Sequence, residues 1–283
     1  MRIWKTLFCS FIVQMHFVAQ AAVWDITYPK NINHETIHNQ YAIALLELAL
    51  QKTGVRYQLQ QTDNVLTQQR AIQLLSDNRQ INVMWSMTDV DRESLLTPIR
   101  VPIYKGLIGW RVLLLHETNQ NQFANLDPDS MCELTLVQGL NWPDNKILRS
   151  NGFNVVNASD HLEAFQLMRD RQVSLFARSV IEVLDELGKP ELTNGLLLEP
   201  KYVLQYPTAV YFFVNSGDRI LRQLIEQGLE QAVKDGTMDA LFEQTYAKLL
   251  AKIELTDRIK IPLKNPLLPK STPVGDIQLW YAQ

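Results

Sequence analysis

Residues His34-Glu35-Thr36-Ile37-His38 spell H-E-x-x-H, the pattern in which two histidines one helical turn apart hold zinc while the glutamate activates a water. That chemistry needs a buried helix and a third ligand. Here the motif is flanked by Asn31, Asn33, Asn39 and Gln40, the downstream H-x-x-G-x-x-H extension is missing, and Glu47 lies too far along the same stretch to share the metal. The competing reading is an exposed, polar helix start in which Glu35 complements the positive end of the helix dipole. His16, His116 and His161 form no pattern with the motif. Gly106-Leu107-Ile108-Gly109 is only a fragment of a phosphate loop, and the sequence contains no G-x-S-x-G, C-x-x-C or P-loop.

The other chemistry-bearing residues stand where strands run into helices. Arg178 lies between an apolar run at 173–177 and a helix start, where it is either an anion ligand in a cleft or a solvent-exposed charge. Leu140-Asn141-Trp142 follows an apolar run at 134–137 and precedes Pro143, which suits the first turn of a helix. Free N–H groups and the helix dipole at such a point can hold an anion without any basic side chain.

Short apolar runs alternate with amphipathic stretches along the chain, which indicates an α/β architecture. Strands are predicted at 23–28, 55–59, 81–84, 107–115, 134–137, 154–156, 173–177 and 210–214, with Ile103 also in an extended stretch. Helical spacing relates Ile37, Tyr41, Leu45 and Leu48, with Gly54 as the C-terminal cap. Further helices are predicted around 66–75, from Pro143 to Gly152, after Asp160, after Ser179, and over two stretches separated by Gly236. Asp160 with Glu163, and Ser179 with Glu182, have the spacing of capping boxes. Beyond 258, Pro262, Pro266, Pro269 and Pro273 predict an extended tail on the body of the protein.

Residues 1–21 read as an export signal: Arg2 and Lys5, a mostly apolar stretch over 6–19, and Ala19-Gln20-Ala21 as a cleavage site. A membrane anchor is the alternative, but the run is shorter than the roughly 20 residues a spanning helix needs. Cleavage leaves 262 of the 283 residues and moves the formal charge from −3 to −5, since Arg2 and Lys5 go and no acid does. Cys9 goes with them, so Cys132 is left alone and is expected to be a small buried residue in a fold without disulfides. With 46% hydrophobic and 20% charged residues the chain is neither disordered nor a disulfide scaffold, and its mild acidity argues against nucleic acid as a partner.

Three stretches together resemble the periplasmic solute-binding proteins of polar amino-acid uptake, extracellular solute-binding family 3. They are 41–54 (YAIALLELALQKTG), then 81–92 (INVMWSMTDVDR) continuing into 98–111 (PIRVPIYKGLIGWR), and 136–139 (LVQG) with 210–242, in which AVKDGTMDALF is similar to the family's closing helix pair. The resemblance implies a two-lobed type II periplasmic binding fold with two hinge-crossing strands. The first lobe would comprise 22–110 and 209–258, the second 111–208, and 259–283 the tail. It also implies a monomer without cofactor or catalysis that captures a small polar solute in the interlobe cleft and hands it to an inner-membrane ABC permease. A free-standing sensor is the alternative use of such a fold. A dehydratase would need a cleft carboxylate, for which Glu93 and Glu182 are the nearby candidates.

Carried over position by position, the resemblance assigns Arg92 to the ligand carboxylate, a role suited to a planar, always-charged donor. Otherwise Arg92 pairs with Glu93 or Asp91 at the surface. Thr88 precedes Arg92 by four positions where the family has three. Ser86 and Thr88 match ligand-facing hydroxyls, and Trp85 is a ring to stack on or a core residue. The family's acid for a ligand ammonium falls on Ser179, beside Arg178. Tyr28 and Tyr104 are candidate walls, and Trp142 lies at the second lobe's helix start. Two cleft arginines, Arg92 and Arg178, lead to the expectation of an anionic ligand.

Overall fold

The computed structural model describes residues 23–31, 35–124, 127–128 and 130–281; the export signal and His34 lie outside them. In chain order, β1 (Val23–Lys30), α1 (Ile37–Lys52) and β2 (Arg56–Val65) open the first lobe, with β2 parallel to β1. Gly54, just past α1, has φ +70, as expected of a cap that leaves the helix through the left-handed region. There follow α2 (Gln68–Ser76), β3 (Met84–Met87), α3 (Val90–Leu95) and β4 (Leu96–Ile99).

The second sheet begins with β5 (Trp110–His116), then α4 (Gln120–Ala124), β6 (Thr135–Gly139), α5 (Pro143–Ser150), β7 (Asn154–Ala158), α6 (His161–Arg169) and β8 (Leu175–Ser179). Two short helices, α7 (Val183–Leu187) and α8 (Pro190–Thr193), lead to β9 (Leu196–Leu198) and β10 (Tyr202–Gln205). The chain then returns to the first lobe as β11 (Val210–Asn215), α9 (Arg219–Lys234) and α10 (Thr237–Lys252), and goes back to the second sheet as β12 (Ile259–Pro262).

The first lobe holds the pair β1-β2 and the antiparallel triplet β3-β11-β4. Asn82 stitches them together: its side chain accepts from Thr27 N (2.8 Å) and donates to Asp25 O (2.8 Å), while its own N–H donates to Thr27 O (3.0 Å). This is why the strand predicted at 81–84 starts only at Met84. The second lobe has the order β12-β10-β5-β8-β6-β7, with β9 also on β5.

Other boundaries shift for similar reasons. Leu107–Gly109 is a 3-10 turn, so the long strand begins at Trp110. Ser174 N is taken by Thr135 O, and pairing with β6 starts at Leu175, which carries β8 on to Ser179. Ser179 is therefore a strand residue, and the capping box expected with Glu182 does not form; α7 has no side-chain cap. The Asp160 box does form, with Asp160 accepting from Glu163 N (2.9 Å), although Glu163 reaches back to Ser159 N (2.6 Å). Cys132 is half-buried rather than buried.

Helices α1, α9 and α10 pack on the first lobe around Leu45, Leu229 and Tyr246. Their apolar cluster continues through Ile103, Trp110 and Tyr206 at the hinge to Phe165 and Phe176 in the second lobe. The two crossings meet where Tyr206 N donates to Gly109 O (3.1 Å), and a Cβ on Gly109 would overlap the Tyr206 carbonyl oxygen. Gly109→Ala is thus expected to destabilise the protein by about 1–3 kcal/mol, as overpacking does, lowering the midpoint of thermal unfolding followed by circular dichroism. Gly188→Ala, whose Cβ would meet only ordinary contacts at 3.5 Å, should leave that midpoint nearly unchanged.

Candidate functional site

Parallel strands β6, β7 and β8 all end on one edge of the second lobe, at Gly139, Ala158 and Ser179, the edge where open α/β sheets place ligands. Arg178 arrives there with only 5% of its surface exposed. Its Nε donates to both Glu186 oxygens (3.1 and 2.9 Å), and its Nη2 to Glu186 (2.5 Å) and Glu182 (3.1 Å). Its guanidinium also lies over two rings, 5.3 Å from the Trp142 centroid and 5.0 Å from that of Phe176. Arg178 is therefore a buried, carboxylate-paired charge, not a solvent-exposed one.

A second arginine joins it. Arg111, on β5, contacts Asp144 (2.5 Å) and Glu182 (3.5 Å) and donates from Nε to the Tyr206 hydroxyl (2.9 Å), which in turn donates to Asp144. Glu186 accepts from His161 Nε2 (2.9 Å). Local chain geometry makes these meetings possible: Asp144 sits in the first turn of α5, Glu182 directly precedes α7, and Glu186 lies within it. Burial alone would lower the basicity of Arg178, but Glu186 and Glu182 more than reverse this and fix it as a cation. Burial likewise works to raise the Glu186 carboxyl, yet Arg178 and His161 hold it down at about 2. Glu182 is also lowered, against burial, by Arg178, His38 and Arg111.

Across the cleft, the α1 N-terminus faces α7. Thr36 supplies no side-chain cap to α1; instead Ile37 N donates to Asp185 of the second lobe (2.9 Å). His38 bonds Thr36 through Nε2 (3.3 Å), and its buried Nδ1 has no hydrogen-bond partner among the described residues. Burial depresses the His38 pKa, opposed by Glu182, Asp185 and Glu186. Tyr28 and Trp85 lie together, ring centroids 5.6 Å apart, and Trp85 Nε1 donates to Asn39 (3.2 Å). Tyr104 is a core residue whose hydroxyl is spent on His38 O (2.9 Å).

Arg92 is buried rather than at the surface, and its ion pair is not with Asp91 or Glu93. It pairs with Asp89 (3.4 Å), donates to Met87 O, and reaches Gln68 (3.5 Å). Asp89 caps α3 by accepting from Arg92 N (2.7 Å). Thr88 donates its hydroxyl to Glu93 (2.6 Å), and Glu93 is gripped by Arg100 (3.0 and 2.6 Å). Strand alternation puts Ser86 on the face of Met84, opposite Trp85. Ser179 turns to the hinge, donating to Leu107 O (3.2 Å).

The structure thus brings Trp142 and Arg178 together in the second lobe and, separately, Tyr28 and Trp85 in the first. Arg111, Asp144, His161, Asp185, Glu186 and Tyr206 were not singled out by sequence. Arg178, Glu182 and Glu186 do recur at intervals of four, but Arg178 lies in β8 and Glu182 before α7, so that interval is not a helical face. Of the H-E-x-x-H motif, Glu35 is exposed, and no cluster of three metal-ligating side chains occurs among the described residues.

No family model matches the sequence, and no curated protein matches it. Solved structures do match in fold. The Bordetella pertussis BvgS periplasmic VFT2 domain superimposes with a TM-score of 0.60 at 16% identity, covering 79% of this chain and 93% of that one. The GluR0 ligand-binding core from Nostoc punctiforme, solved with L-glutamate, gives 0.54 at 13% identity, covering 79% and 99%. A Salmonella typhimurium periplasmic binding protein of high arginine specificity gives 0.56 at 12% identity, again covering 79% and 99%. The chain has the two-lobed periplasmic binding fold.

The ion pairs make a pH-dependent contribution of definite sign. Because the Glu186 carboxyl is depressed when folded, its stabilisation is complete above its ordinary value of 4.5 and is lost as pH falls toward about 2. That shift corresponds to about 3 kcal/mol. Glu186→Gln should therefore unfold at lower urea at pH 7 and show a flatter stability profile below pH 4.5 than the wild type. An unchanged profile in urea titrations would remove the pair from the stability account.

Proposed function

From the two-lobed fold, we propose that the protein is an extracytoplasmic binding protein that encloses a small polar solute between its lobes and passes it to a membrane transporter of the ABC type. Lobe one would be 22–110 with 209–258, and lobe two 111–208, exported by the signal at 1–21. The observation that carries this reading is the cleft edge itself. In support of it, Trp142 packs on Arg178 in the second lobe, Tyr28 on Trp85 in the first, and the α1 N-terminus bonds Asp185 from one lobe to the other. Aromatic walls with a few fixed polar groups are the usual makeup of a small-molecule site.

The charge balance refines the ligand. Arg111 and Arg178 are matched by Asp144, Glu182 and Glu186, and Arg92 by Asp89, so the arginines offer no net positive field to a simple anion. Arg178 Nη1 still makes no hydrogen bond among the described residues, while Glu182 keeps a fifth of its side chain exposed. Together they suit a zwitterion, with the solute carboxylate on Arg178 and its ammonium on Glu182. An amino acid or a close relative has that pattern.

The surroundings of the two candidate carboxylates support a binding role. A general acid or base needs a pKa near the working pH. Glu182 is held below the usual carboxylate range by two arginines, and Glu93 is locked by Arg100 and Thr88. A thermal-shift screen of the purified mature protein against amino acids, dicarboxylates, peptides and sugar acids tests the proposal. A ligand at a hundred times its Kd adds about 2.7 kcal/mol of stability. Zwitterionic amino acids should raise the melting midpoint, and Arg178→Met should abolish the rise. Stabilisation by dicarboxylates alone would overturn the zwitterionic assignment, and stabilisation by none of these solutes would overturn the binding reading.

A further inference from the structure

The chain does not stop after its second hinge crossing. From α10, in the first lobe, it passes to β12 on the second-lobe sheet and then runs back to the first crossing. Arg258 secures the outward step: it is buried, its Nε donates to Ile253 O (2.9 Å), and its Nη1 donates to Tyr202 O (3.1 Å) and Glu199 O. β12 then lies parallel to β10 over four paired positions, from Tyr202 with Ile259 to Gln205 with Pro262. Beyond it, Lys264 and Asn151 exchange two hydrogen bonds (2.9 and 2.7 Å), which fastens the segment to the second lobe.

The return leg passes both crossings. Asn265 donates to Pro207 O (2.9 Å), on the second crossing. Further on, Tyr281 N donates to Lys105 O (2.8 Å), on the first, and the Trp280 ring lies against Gly106, where a Cβ would collide with it. The two ends of the segment converge on one residue. Lys260, in β12, sits 5.0 Å from the Trp110 ring centroid, and the Tyr281 ring meets Trp110 edge-on at 5.9 Å. Trp110 opens β5, immediately after the Gly109 contact on which the lobes are joined.

Opening the cleft bends the two crossings and changes the spacing between points on either lobe beside the hinge. A segment fastened to both lobes resists that change unless it can lengthen. This one is folded into hydrogen-bonded turns, Thr272 N to Pro269 O (3.0 Å), Asp276 N to Pro273 O (3.2 Å) and Leu279 N to Asp276 O (3.0 Å), so lengthening it means breaking them. We propose that residues 259–281 form a strap over the hinge that limits how far the lobes separate, with Trp280 and Tyr281 as its lock on the first crossing. The test of the strap needs no solute.

Spin labels at exposed Gln40 on α1 and Lys146 on α5, in a Cys132→Ser background, report the distance between the lobes by electron-electron resonance. The wild type should give one narrow distance distribution. A chain ending at Asp276 should add a longer-distance population, and the full-length double variant Trp280→Ala/Tyr281→Ala should add the same one. Circular dichroism establishes that each variant is folded, and the double variant covers the case in which the shortened chain is not. If the folded double variant gives the wild-type distribution, or if the wild type already spans the wide range, the strap does not limit opening and the proposal fails.

Discussion

Two guanidinium groups, those of Arg111 and Arg178, are buried at the carboxyl edge of the second lobe, and much of the cleft is arranged around the cost of placing them there. A buried ion left unpaired costs several kcal/mol even after relaxation. Each arginine is therefore met by carboxylates from short segments that follow a strand at once: Asp144 after β6, and Glu182 and Glu186 after β8. Trp142 and Phe176 add ring faces to Arg178, a favourable contact for a weakly hydrated cation. The placement of α5 and α7 beside β5 and β8 serves this one requirement.

The same network reaches the hinge. Tyr206 lies on the second crossing, its hydroxyl bonds both Arg111 and Asp144, and its backbone bonds Gly109 on the first. Whatever perturbs the charges at the cleft edge is thus felt where the lobes pivot, through two hydrogen-bonded steps. On the opposite side the tail returns to Trp110, one residue from Gly109. The pivot is consequently bounded by the charge network in front and by the strap behind. That arrangement joins site and motion without a long relay.

Much of the fold was legible because periodicity and punctuation agreed. In α1, α9 and α10 the apolar spacing, the ends at Gly54 and Gly236, and the packing all coincide. The strands that escaped notice, β4, β9, β10 and β12, are only three or four residues long, and two contain proline, too little for an alternation to register. At Ser179 and Glu182 local chemistry pointed to a cap, whereas the strand ran on and Glu182 was claimed by arginines. At Arg92 the local sequence offered Asp91 and Glu93, and the fold chose Asp89, because α3 turns that carboxylate back toward the guanidinium.

By itself, then, the sequence determined the α/β class, most helices, and the strand ends at which Trp142 and Arg178 stand, since these depend on spacing within a few residues. It also carried the order of segments that suggested two lobes. Only the tertiary structure decided which charges neutralise which: Arg178 with Glu182 and Glu186, Arg111 with Asp144 and Glu182, and Arg92 with Asp89. Arg111 and Asp144, Tyr206 and Gly109, and Trp110 and Tyr281 are separated by tens to more than a hundred residues in the chain. Their pairing is set by sheet register and by the meeting of two lobes, for which no local pattern exists.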